Sequence, residues 1–122
     1  MNNDAIATAQ RNSIIWDYKY QLLSFMREYE TLEEYERKIE AIKRRMEYSA
    51  ELFGMLDKKR AADLLNDFES ELERNADRIH EQKRFLACKA QHLMESVDRV
   101  KSLGFEVNTP ALKIAEQFLS EK

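Results

Sequence analysis

The chain contains few of the residues that interrupt helices or cross-link chains. Its 122 residues include two glycines, one proline and one cysteine. So few breakers leave little room for turns, which disfavours a fold built from many short strands. The lone cysteine, Cys88, excludes an internal disulfide and hence the disulfide framework of small secreted proteins.

Three further absences bear on location and on partners. The first ten residues, MNNDAIATAQ, show no basic segment followed by an apolar run, so we expect no signal peptide. No stretch approaches the roughly 20 apolar residues that cross a bilayer. The formal net charge of -3 lacks the basic excess typical of general nucleic-acid-binding proteins. We therefore expect a cytoplasmic protein without a membrane span, and nucleic acid is disfavoured as its main ligand.

Each half of the chain instead carries an apolar residue at every seventh position. The first series is Tyr18, Phe25, Leu32, Ile39, Met46 and Phe53, and the second is Leu65, Leu72, Ile79, Leu86, Leu93 and Val100. A turn near Met55 and Leu56 would make the two series antiparallel and would place Met46 opposite Leu65. This pattern is typical of a long antiparallel helical hairpin with a coiled-coil seam, and it predicts an all-α protein.

Glycine, proline and capping residues set the predicted helix boundaries within a single domain of residues 1–122. The first helix covers about 4–53, and the following Gly54 is expected to end it. The companion apolar positions of this helix change phase near Glu30 and Thr31, from Ile15, Leu22 and Tyr29 to Tyr35 and Ile42, which leaves open whether the helix is continuous there.

The second predicted helix covers about 58–103, with Asp57 as its N-terminal cap and Gly104 at its end. Thr109 and Pro110 then start a short third helix over about 110–121, because proline at the first helical position loses no hydrogen bond.

A second apolar stripe on the first helix indicates where the third helix packs. The stripe consists of Trp16, Tyr20 and Leu23, and the second helix answers it with Phe85, Cys88 and Val97. We expect the third helix to cover these residues and to form a three-helix base. About 33–75 has one stripe per helix, which predicts a two-helix arm.

Charges on the flanks of the predicted hairpin agree with antiparallel pairing. The basic run Lys43, Arg44 and Arg45 falls across from the acidic residues Asp67, Glu69 and Glu71. Such exposed pairs contribute only about 0.2–1 kcal/mol each, so they bear on register more than on stability.

One local motif points to an enzyme. Arg74 and Asn75 are followed, after four residues, by His80. This spacing is similar to the signature of HEPN-family ribonucleases, which are all-helical and act as dimers. The resemblance implies that Arg74 and His80 would activate the RNA 2′-hydroxyl and stabilise the cleaved phosphate, while Asn75 orients them. The competing interpretation is a solvated helix flank, since six residues place Arg74 and His80 about 120° apart on a helix.

Two other chemical patterns are weaker. Asp77 and His80 have the spacing of a di-iron ligand pair, but such sites need a second copy of the motif and further glutamates. Cys88 lies between Arg84 and Lys89 and four residues before His92, yet a narrow hairpin offers no pocket for a nucleophile. We therefore expect no metal and no cofactor.

The turn of the hairpin is the remaining surface of interest. Two basic triplets, 43–45 and 58–60, flank Phe53, Met55 and Leu56. This arrangement supports an alternative function as a nucleic-acid adaptor that makes contact through a basic tip.

The pattern as a whole favours a non-enzymatic protein–protein interaction module, such as an adaptor, chaperone or small inhibitor. It would present amphipathic helices to another protein or to a second copy in a homodimer. The expected contact residues are those whose aromatic or methionine side chains contribute most at interfaces, with one leucine at the turn: Trp16, Tyr20, Phe53, Met55 and Leu56.

Overall fold

A computed structural model of the chain describes residues 2–121. Those residues form four helices and no strand: α1 (Asn2–Tyr48), α2 (Ala50–Met55), α3 (Lys58–Ser102) and α4 (Pro110–Ser120). Helix α1 packs against α3 as a hairpin, and α4 contacts α3. The predicted all-α hairpin with a short C-terminal helix is confirmed.

Helix α1 is continuous where the apolar series changes phase. It runs without a break through Glu30 and Thr31. The interruption lies at Ser49, whose N–H donates to the carbonyl oxygens of both Arg45 (3.0 Å) and Met46 (3.2 Å). Such a shared bond tightens the last turn of a helix, and the short α2 begins at the next residue.

Gly54 does not end a helix, which corrects the predicted boundary. It lies inside α2, which closes one residue later when Leu56 becomes extended, at φ -80° and ψ 152°. Glycine is needed at a helix end only where the backbone takes a positive φ, and among the described residues only Gly104 does so, at 96°. The predicted end of α3 at Gly104 is therefore correct.

The predicted starts of α3 and α4 are confirmed. Asp57 caps α3, because its Oδ1 accepts a 2.8 Å hydrogen bond from the N–H of Arg60. Pro110 is the first residue of α4, where its missing N–H has no helical partner to lose.

The described chain divides into two compact units. The first, here called the terminal unit, comprises the chain through Glu30 and from Lys83 onward. The second, the turn unit, comprises Thr31–Gln82. The division agrees with the predicted change from three helices to two.

The core of the terminal unit forms where α4 lies against both long helices. Its buried apolar residues include Phe25, Leu86, Ala90, Leu93, Val97, Ala115 and Phe118. The ring of Phe118 meets those of Phe25 and Tyr29 edge to face, with both centroids 6.2 Å away. An ion pair of 2.9 Å between Asp17 and Arg99 also joins α1 to α3.

The turn unit has a much narrower interior. Among its residues, all of which the structure describes, only Leu32, Ile42 and Asn75 are buried. Leu65, predicted to lie in the seam, is 39% exposed, whereas its neighbour Leu64 is half-buried. In a straight helix, residues seven apart are rotated by about 20° relative to each other. Over two heptads the side of α3 that faces α1 therefore no longer coincides with the residues of the predicted series.

Candidate interaction surfaces

The outer face of α1 carries a stripe of exposed apolar side chains in the terminal unit. Trp16, Tyr20 and Leu23 are 63%, 65% and 51% exposed, and their spacing puts them on one face of the helix. Nine residues separate Trp16 from the buried Phe25, a rotation of about 900°, so the stripe lies on the opposite side from the core. We call these three residues the outer face.

Helix α4 does not cover the outer face, contrary to the prediction. Its Phe118 contacts Phe25 and Tyr29 on the other side of α1. The reason is geometric, because one 11-residue helix cannot cover two opposite sides of α1.

The three residues of α3 that were predicted to pack with the outer face do not lie in one environment. Val97 is fully buried in the core, whereas Phe85 and Cys88 are exposed. Their helical positions explain this outcome, since Val97 falls on the same face of α3 as Leu86 and Leu93, and Phe85 is displaced by about 100° from Leu86.

The charges near the outer face are compatible with burial of its rings. The Lys19 ammonium lies 4.3 Å from the centre of the Trp16 ring. A cation over an indole is attracted by the negative face of the ring, and this attraction grows when water is removed. Lys19 would thus keep a favourable contact inside an interface.

At the turn, the structure separates the three predicted contact residues. Met55 is 76% exposed, while Phe53 and Leu56 are half-buried. Tyr48 and Leu52 are also exposed apolar residues near the turn, but the interruption at Ser49 separates Tyr48 from the helix that carries Leu52 and Met55. The sequence pattern did not single out Tyr48 and Leu52, because neither belongs to the heptad series.

A basic groove of about 380 Å³ lies between α1 and α3 in the turn unit. Its lining comes from equivalent positions on the two helices: Lys38, Ala41, Ile42 and Arg45 on α1, and Glu71, Arg74, Asn75 and Arg78 on α3. Arg45 and Glu71 form an ion pair of 3.4 Å, as the predicted pairing of opposite charges requires. Lys38 and Arg74 both line the groove, so they lie close together, as an antiparallel hairpin predicts.

The three residues of the ribonuclease-like motif do not converge within one chain. Arg74 and Asn75 line the basic groove, but the exposed His80 is not part of its lining. Helix α3 is continuous from Lys58 to Ser102, so the angle of about 120° between Arg74 and His80 is kept. The amide Nδ2 of Asn75 donates a 2.8 Å hydrogen bond to the backbone oxygen of Glu71, so this donor is already occupied within α3.

A second groove, of about 320 Å³, lies in the terminal unit beside the connection to α4. Ile15, Tyr18 and Val100 line it together with residues 105–109. Burial raises the pKa of the Tyr18 phenol, because the charged phenolate is less well solvated there. The Arg11 guanidinium lies 5.0 Å from the centre of the Phe105 ring at this end.

For residues 2–121, two further kinds of site bear on function, a cluster of metal ligands and a membrane-spanning helix. No three histidine, cysteine, aspartate or glutamate side chains in that range are grouped so that they could hold a metal ion. None of the four helices has an apolar stretch long enough to cross a membrane.

Comparisons with known proteins give no relative from which a function could be transferred. No protein-family model, curated protein or solved structure matches this chain. The function must therefore be argued from the surfaces described above.

Proposed function

We propose that the protein is a non-enzymatic protein–protein interaction module that binds through the outer face of α1, with a second copy of the chain as its partner. The exposure of Trp16, Tyr20 and Leu23 opposite the core carries this proposal. Large apolar side chains that are exposed singly are ordinary, but three on one helix face form a continuous patch of the kind that marks binding surfaces.

The residue types support an interface. Tryptophan and tyrosine are among the residues that contribute most to binding, because each buries a large rigid surface with few rotatable bonds. Complete burial of such a side chain is worth roughly 1.5–3 kcal/mol relative to exposure. Since these side chains are more than half exposed, most of that free energy is still available to a partner.

The outer face is complementary to itself in an antiparallel arrangement. A two-fold axis near Tyr20 would place Trp16 of one copy opposite Leu23 of the other, and the two Tyr20 rings side by side. Arg27, the next residue of this face, would then lie opposite the uncharged Asn12. The pairing therefore brings the apolar groups of the two copies together, which is what an isologous dimer interface requires.

Sedimentation velocity over a concentration series tests this function. The face variant is Trp16→Gln with Leu23→Gln, and the matched control is Tyr48→Gln with Leu52→Gln, which removes two exposed apolar side chains from the turn unit. We expect the parent and the control to form dimers as concentration rises, and the face variant to remain monomeric. A parent that stays monomeric throughout, or a face variant that still dimerises, contradicts the proposal.

A further inference from the structure

The basic groove of the turn unit has the composition of an anion site. Its floor is formed by Ile42, which is buried, and by the short side chains of Ala41 and Asn75, which leave space between the helices. From the charges that surround this space, we infer that the groove binds a small molecule carrying two or three linked phosphate groups.

The charge of the groove is strongly unbalanced. Four cations line it, namely Lys38, Arg45, Arg74 and Arg78, against the single carboxylate of Glu71. Only Arg45 is paired with that carboxylate. No ion pair joins Arg74 or Arg78 to any other residue of the described chain. The groove thus has three positive charges in excess, although the chain as a whole is negative.

Linked phosphates fit this excess better than other anions. A guanidinium presents its N–H groups in a planar fork that matches two phosphate oxygens, and three of the four cations are arginines. A ligand with a single carboxylate group carries too little negative charge to balance the three excess positive charges of the groove. The volume of about 380 Å³ falls in the range of small-molecule sites and is too small for a folded partner.

The same geometry predicts a link between binding and stability. Arg74 and Arg78 are four residues apart on one helix face, where like charges repel. A polyphosphate that binds only the folded chain would relieve this repulsion and raise the melting temperature. Removal of both charges should therefore stabilise the free protein while it abolishes the response to ligand.

This site is independent of the proposed dimer. All its lining residues belong to the turn unit, whereas the outer face belongs to the terminal unit. Loss of one function therefore leaves the other testable in the same preparations.

Isothermal titration with sodium tripolyphosphate at constant ionic strength provides the test. The groove variant is Arg74→Gln with Arg78→Gln. The matched control is Arg37→Gln with Arg44→Gln, which removes the same charge from the side of α1 that faces away from Ile42. We expect saturable binding by the parent, at least about tenfold weaker binding by the groove variant, and less than about twofold change in the control, because each charge-assisted hydrogen bond is worth roughly 1.5–3 kcal/mol.

Thermal melting provides the second readout. Tripolyphosphate should raise the melting temperature of the parent and the control, but not that of the groove variant, which should melt higher than the parent without ligand. The inference is overturned if tripolyphosphate does not bind beyond the effect of sodium chloride at equal ionic strength, or if both variants weaken binding equally. It is also overturned if poly-glutamate or single-stranded RNA binds the groove and tripolyphosphate does not.

Discussion

Asn75 is buried, although one interpretation of its motif was a solvated helix flank. It lies in the interior of the turn unit, where its Nδ2 is used by the Glu71 carbonyl. Its Oδ1 is buried and accepts no hydrogen bond from the described residues. An unpaired acceptor in such a place costs about 1–3 kcal/mol.

Replacement of Asn75 by leucine should stabilise the protein by about 1 kcal/mol or more, because it removes the unpaired acceptor and adds apolar surface in the interior of the turn unit. Urea unfolding measures the change. Ser96→Ala is the control, since Ser96 is also buried but its Oγ already donates to the Leu93 carbonyl at 2.7 Å, and it should give no such gain. A loss of stability in Asn75→Leu would show that the acceptor has a partner.

At the scale of elements, the two glycines have opposite roles. Gly54 is helical and has open space around it, while Gly104 takes a positive φ that other residues adopt only with strain. The sequence indicated the same role for both, because a glycine that follows a periodic stretch is read as a helix end. The structure differs at Gly54 because Ser49 had already interrupted the long helix.

The two glycines should therefore respond oppositely to alanine. Gly54→Ala should raise the free energy of unfolding by roughly 0.5–1 kcal/mol, because alanine loses less backbone entropy in a helix. Gly104→Ala should lower it by about 1 kcal/mol or more, since a Cβ is strained at this φ. Urea unfolding of the two variants decides the matter, and equal shifts would contradict the assigned helix boundaries.

The helical elements could be predicted from local signals, but their mutual arrangement could not. Asp57, Gly104 and Pro110 act on their own neighbours, so their roles are visible in the sequence. The side of α1 that α4 covers depends on a choice between Phe25 and Trp16, both of which lie on apolar stripes. Periodicity shows that each stripe exists, and only tertiary packing decides which one is buried.

At the scale of the whole molecule, the change in the number of stripes along the hairpin agrees with the division of the described chain into two units. The predicted site residues agree less well with the structure. Trp16, Tyr20 and Met55 are exposed as an interface requires, but Phe53 and Leu56 are half-buried. The basic groove was not predicted, because its cations come from two segments more than 25 residues apart, and Arg45 and Arg74 were noted in separate patterns.

The central claim is that the outer face of α1 is an interface, and Trp16 reports on it directly because the chain has a single tryptophan. The decisive measurement is the quenching of its fluorescence by acrylamide over a range of protein concentrations. We expect strong quenching in dilute solution. As the protein dimerises at higher concentration, Trp16 should become protected from acrylamide and its emission should shift to shorter wavelength. The Leu23→Gln variant should show less protection and a smaller shift. Quenching that stays equally strong at every concentration would contradict the account.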